Sequence, residues 1–396
     1  MTFNPSRNTA MFPILQLLTL SLCLCAAGTQ ATPITPNRDD EVVEVLPAVA
    51  SSRAEERRLR KQLAQQPRDA KLALEIAQRY LDQAHELGDP RFIGLAMSAI
   101  AGWTDEATMP DAVLMMRAVL QQYMHNFDAS AASLKRLVSR PSAEPRPQAW
   151  LTLATVRRVQ GRYAESDAAC QQVAASGAAL HANACLAENA ALRGEVDRAR
   201  AAFTGLLASQ HNAAASTQAW LLTSLAELEQ RAGKPAAADA AFQAVLKLDA
   251  DPYAILAYAD FLIEQKRPAQ ALTLLKGQVR SDAVLLRLAI AGTQAKAASA
   301  KADVAEMRER IALANQRPDA KVAHGREQSM FALQVEGQVA RALELARGKA
   351  AFQREPLDLL VLAQAARASA DPAALAEVRK LTLDMGLRDR RIEALL

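Results

Sequence analysis

Aromatic residues are scarce in this 396-residue chain, at 4% of the total, and Gly contributes only 15 positions. Val and Ile are also infrequent, so the residues that build and turn β-sheets are missing, and a strand-built fold is excluded. Charge of one sign is not concentrated anywhere: the formal balance is +4, with acids and bases interspersed. That pattern gives neither the basic footprint of a nucleic-acid binder nor a polybasic membrane patch. No internal segment is long and apolar enough to span a bilayer, and the most apolar one, residues 112–124, is interrupted by Arg117 and followed by His125. A phosphate-cradling Gly loop, a nucleophile elbow and a His-Glu metal helix are all absent. The five His residues, His85, His125, His181, His211 and His324, lie far apart. The sequence therefore offers no catalytic set and calls for no cofactor.

What is present is a helix former's composition, led by Ala and followed by Leu, Arg, Gln and Glu. The first residues read as an export signal: Arg7 precedes the apolar stretch Phe12 to Leu24, and small residues continue through Ala31. Cleavage is expected after Ala31, with Thr29 and Ala31 in the small-residue slots, and a cut after Ala27 is the alternative. An uncleaved anchor would need about 18–20 apolar residues, more than this stretch supplies. Lipidation would need a small residue before Cys23 or Cys25, and each follows a Leu. The expected location is periplasmic or secreted, with residues 1–31 as signal peptide. Residues 32–68 then form a linker, bearing Pro33, Pro36 and Pro47, and a first helix.

From Arg53 onward apolar residues recur at three- and four-residue intervals, with breaks at Gly, Pro, Asp or Asn. Four copies of one helix-turn-helix pattern follow each other from Pro147. The first has Trp150, Leu153 and Ala154, then Gly161, Tyr163, Ser166 and Cys170. The next have Leu186, Ala187, Gly194, Ala199 and Phe203; Leu225, Ala226, Gly233, Ala238 and Phe242; and Tyr258, Ala259, Pro268, Ala271 and Leu275. The small slots let the two helices of a unit approach closely, and the large ones fill the groove against the following unit. These residues and their period of roughly 34 residues resemble the tetratricopeptide repeat (TPR) family. The resemblance covers about residues 69 to 385 and is strongest from 147 to 280. It implies an all-α, TPR-like right-handed superhelical solenoid of antiparallel helix pairs, with about eight or nine degenerate repeats. Residues 69–146 and 285–396 are read as degenerate units, the second ending in a C-terminal cap, around central units at 147–284. The Tyr slot of the first helix departs from the family pattern, holding Arg157, Ala190, Glu229 and Leu262. The proline-rich stretch 140–147 and the Ala/Lys-rich stretch 293–303 read as hinges or as long turns.

Two features stand out within the array. Cys170 and Cys185 fall on consecutive helices at similar distances from the Ser176-Gly177 turn, which suits a disulfide. Two buried thiols also fit, as do ligands of a metal joined by His181, one helical turn from Cys185, although no fourth ligand is visible. The second feature is implied by the resemblance, in which exposed first-helix residues line a concave groove. Two columns then emerge: Gln148, His181, Trp220 and Tyr253; and Thr155, Glu188, Glu227 and Asp260. Acids beside aromatics suggest a protein or peptide partner, of a basic extended kind. The expected function is an exported adaptor without catalysis, with envelope assembly, secretion or polysaccharide export as settings. A structural spacer joined by its convex face or termini is the alternative.

Overall fold

The computed structural model describes residues 50–87, 89, 91–248, 250–316 and 325–396, with side chains from residue 54. The signal segment and most of the linker lie outside the described residues. The chain divides into residues 1–57 and 58–396, and the second unit carries the array. Among the described residues every regular element is a helix. In chain order they are α1 (Ala50–Gln65), α2 (Ala70–Leu87), α3 (Arg91–Ala99), α4 (Asp111–Tyr123), α5 (Phe127–Ser139), α6 (Pro147–Val159) and α7 (Tyr163–Ala175). Then come α8 (Ala179–Leu192), α9 (Val196–Ser209), α10 (Ala215–Arg231), α11 (Pro235–Val245), α12 (Pro252–Glu264), α13 (Pro268–Leu275) and α14 (Asp282–Ala295). The last six are α15 (Ala300–Ala314), α16 (Gly325–Gln334), α17 (Val339–Ala350), α18 (Pro356–Ala368), α19 (Pro372–Met385) and α20 (Arg390–Glu393).

Helices α2 to α19 form nine successive pairs, and the first helices of neighbouring pairs touch one another along the array to make a continuous inner wall. Each of the last eight pairs turns through one residue in the left-handed region. Gly fills that position at 161, 194, 233 and 337, whereas His125, Lys266, Lys296 and Ala370 fill the others. Half of the turns therefore lack the Gly that marks a repeat in sequence, which is why the outer units read as degenerate. The residue after the turn donates its backbone N–H to the first helix: Arg162 to Arg157 O (2.8 Å), Glu195 to Ala190 O (2.9 Å), Lys234 to Glu229 O (2.9 Å) and Arg267 to Leu262 O (2.8 Å). This bond closes the helix C-terminus. Its acceptors are the four Tyr-slot residues, and since the carbonyl does this work, the side chain in the slot is free to vary. All four slots are buried, and two enclose charge: Arg157 lies 3.0 Å from Glu165, and Glu229 pairs with Arg200.

The small and large slots do what their sizes dictate. Ala154, Ser166, Ala199, Ala226, Ala238, Ala259 and Ala271 are fully buried between paired helices, and the Ser166 hydroxyl donates to Ala154 O at 2.8 Å. Phe203 and Phe242 are buried against the next unit, and burying a side chain of that size contributes about 1.5–3 kcal/mol. The 140–147 stretch is pinned: the Arg140 guanidinium donates to Met109 O (2.7 Å) and Asp111 (2.6 Å), and Arg146 donates to the other oxygen of Asp111 (2.5 Å). It is a long, tied-down turn.

The C-terminal units return to the central ones. Arg354 N–H donates to Val159 O and Arg388 N–H to Leu192 O, both at 2.8 Å. Met385, Leu387 and Ile392 are buried in one apolar cluster with Tyr163 and Leu192. The Arg391 guanidinium pairs with Asp389 (2.6 Å) and with Glu264 (3.2 Å), 127 residues away. The last residues thus run past the turns at Gly161, Gly194 and Gly233, where Met385, Arg388 and Arg390 approach closest.

Candidate functional site: an inner cavity

Because the first helices line the inside of the array and the C-terminal units face them, a cavity of about 820 Å³ lies between the two. One wall carries Arg158, Glu188, Trp220, Glu227, Tyr253 and Asp260 from α6, α8, α10 and α12; the other carries Arg326, Glu327, Glu355, Gln364 and Arg391. Ile263, Ile290, Met330, Leu333 and Val361 supply apolar surface between them.

Of the eight first-helix residues singled out in the sequence, Glu188, Trp220, Glu227, Tyr253 and Asp260 line this cavity. Gln148, Thr155 and His181 are not among its lining residues. Gln148 is exposed, and the Thr155 hydroxyl is turned to its own helix at Leu151 O (3.1 Å). His181 stacks on Trp220, with ring centroids 5.7 Å apart. The aromatic column is therefore two separate pairs, since the Tyr253 hydroxyl donates to Glu227 at 2.5 Å.

The acidic column differs from expectation in charge. Glu188 pairs with Arg158 and accepts from Ser224 (2.9 Å). Glu227 has Tyr253 on one oxygen and Arg231 at 3.9 Å from the other. Asp260 is held by both guanidinium arms of Arg287, at 2.9 and 2.6 Å. A basic segment laid on this column would have to displace an arginine at each step. Burial raises the Glu227 carboxyl above its usual range, with Arg231 and the Tyr253 hydroxyl opposing. The Glu227 charge holds the Tyr253 phenol well above its own. The Tyr253 side chain is 60% accessible. Burial depresses the Arg326 guanidinium, but the Asp358 and Glu355 carboxylates beside it raise it well above the usual value.

Cys170 and Cys185 are joined by a disulfide that links α7 to α8, with Cα atoms 5.9 Å apart. With both sulfurs used and His181 on Trp220, the alternative three-ligand metal set is not assembled. Among the described residues no group of three His, Cys, Asp or Glu side chains is placed to hold an ion. No described helix is long and apolar enough to cross a membrane.

The cavity's second wall escaped the sequence reading. Arg326, Glu327, Glu355 and Arg391 lie about 70 to 230 residues from the first wall, and no periodicity connects them. The available hint was Leu387 and Ile392, apolar residues placed after the last full helix pair.

Nine helix pairs with buried small and large slots around an inner cavity define a TPR-like helical-repeat protein. No family model matches the chain, and no curated protein matches it. Among solved structures it is similar to a tetratricopeptide repeat protein from Parabacteroides merdae, at 15% identity over 69% of this chain and 98% of that one, TM-score 0.37. It is also similar to a Rap protein complexed with Competence and Sporulation Factor, at 11% identity over 87% and 94% of the two chains, TM-score 0.45.

Proposed function

We propose that this chain is an exported binding protein that takes a segment of a protein or peptide into its inner cavity, without catalysing a reaction on it. The observation that carries this reading is the cavity itself: about 820 Å³, walled by first helices of successive units and open to solvent at the Tyr253 ring. Ligand sites are concave, mostly apolar and fitted with a few fixed polar groups, and the Arg158–Glu188 and Arg287–Asp260 pairs are such groups. Export rests on the N-terminal segment with Arg7 and the apolar run from Phe12 to Leu24. A role in an envelope assembly or secretion system is the setting that export would give it.

Tyr253→Ala tests the reading, because the side chain is largely accessible and its removal costs the fold only the hydrogen bond to Glu227, a small fall in melting temperature. Loss of an aromatic anchor at a binding site costs about 2 kcal/mol or more, so partner capture from an envelope extract should weaken about thirtyfold. Capture at wild-type strength by this variant and by Trp220→Ala would remove the cavity from consideration as the binding site.

A further inference from the structure

The polar groups of the cavity divide into those already satisfied and those left open, and the division has a chemical sense. Every Arg that lines it has a carboxylate within ion-pair distance: Arg158 with Glu188, Arg231 with Glu227, Arg287 with Asp260, Arg326 with Asp358, and Arg391 with Glu264. An anionic ligand would compete with these carboxylates for each guanidinium, and Lys266 stands apart at the exposed turn after α12. Two lining carboxylates, Asp251 and Glu327, form no ion pair among the described residues; Asp251 is engaged as the N-cap of α12, accepting from Ala254 N–H at 2.8 Å, and Glu327 stands on α16 in the second wall. For Glu327, burial works against the charge, and the positive fields of Arg326 and Lys349, a hydrogen bond from its own backbone and the field of Arg287 more than offset that and keep its carboxyl below the usual range. No cationic side chain is bonded to this carboxylate among the described residues, and it lines the cavity.

Three carboxamides, Gln294 on α14, Gln334 on α16 and Gln364 on α18, also line the cavity and make no side-chain hydrogen bond among the described residues. They sit on first helices of three successive units. A carboxamide presents an acceptor and two donors, the complement of a peptide group in either direction. Neutral, two-way groups repeated along a wall suit a main chain better than a phosphate or a carboxylate.

We propose, resting on the cavity-binding reading above, that the ligand is a short peptide whose main-chain groups are read by Gln294, Gln334 and Gln364. Its one basic group, a Lys or Arg side chain, pairs with Glu327. The basic group is thereby received by the second wall, not by the Glu188, Glu227 and Asp260 column. Cavities of about 300–1,000 Å³ enclose ligands of drug size, so the bound stretch is about four residues long.

The test uses the full chain and three pools of acetylated, amidated tetrapeptides, randomised over uncharged residues at three positions and fixed at the fourth as Lys, Glu or Ala. Retention is measured by affinity selection and mass spectrometry. A charge-assisted hydrogen bond exceeds a neutral one by enough to favour the Lys pool about tenfold over the Ala pool, with the Glu pool weakest. Glu327→Gln, which keeps the shape, should bring retention of the Lys pool down to that of the Ala pool. Equal retention of the Lys and Glu pools by the wild-type chain overturns the inference while leaving the cavity-binding reading in place. So does a Lys preference that survives in Glu327→Gln. Retention of no pool overturns the peptide assignment, and the Tyr253→Ala capture assay then decides separately whether the cavity binds anything. A melting curve of Glu327→Gln is recorded alongside, and the Lys-to-Glu ratio in the wild type stands even if that variant is unstable.

Discussion

Gly177 and Gly194 have nearly the same left-handed backbone, with φ of +84° and +82°, and very different surroundings. A Cβ at Gly177 meets nothing within 4 Å, whereas one at Gly194 would lie 2.9 Å from Arg388 Cγ and 3.0 Å from its Cβ. Ala in the left-handed region costs about 1–2 kcal/mol, and Gly177→Ala should lose that much and no more. Gly194→Ala should lose distinctly more, because the Arg388 backbone bond to Leu192 O has to move with it. Denaturant melts of the two variants make the comparison. Equal losses would mean that the approach of residue 388 contributes nothing to stability. The sequence shows Gly194 only as a repeat's turn. Its second duty, leaving room for a segment almost 200 residues later, is invisible there because nothing local encodes it.

At the scale of the element, the α7–α8 hairpin holds the disulfide. Its loop of 15 residues is short, and a crosslink over such a loop is worth about 3 kcal/mol in the chain-entropy model. Adding reductant should lower unfolding free energy by that amount, and an unchanged denaturation midpoint would show the thiols unlinked in solution. The two Cys residues were legible as a pair from their equal distance to the Gly177 turn. The choice between bond, thiols and metal ligands was not, since it depends on Cα separation and on His181 turning to Trp220. The 140–147 stretch teaches the same lesson: three Pro residues read equally as hinge or turn, and Asp111, bonded to both Arg140 and Arg146, decides for the turn.

Across the whole molecule, His125 marks where early and late units meet. Burial first, and the charge of Lys349 second, push its imidazole from the ordinary 6.5 down to about 4, and its Nδ1 has no hydrogen-bond partner among the described residues. The unfolded chain takes up this proton at higher pH than the folded one. The stability it confers is therefore complete above pH 6.5 and is lost as the pH falls toward about 4. Urea midpoints recorded over that window should decline in the wild type and decline less in His125→Gln. Parallel profiles would place the ring in solvent.

The sequence by itself determined the all-helical pairs, their central register and one wall of the cavity, because small and large slots at helical spacing act between immediate neighbours. It placed Glu188, Trp220, Glu227, Tyr253 and Asp260 on an inner face for the same reason. Tertiary structure decided that these acids are matched by Arg, that the C-terminal units supply the opposite wall, and that Glu327 lines it with no ion pair among the described residues. Those outcomes depend on how small rotations between units accumulate until distant residues meet. A sum over nine pairs has no local signature in the chain.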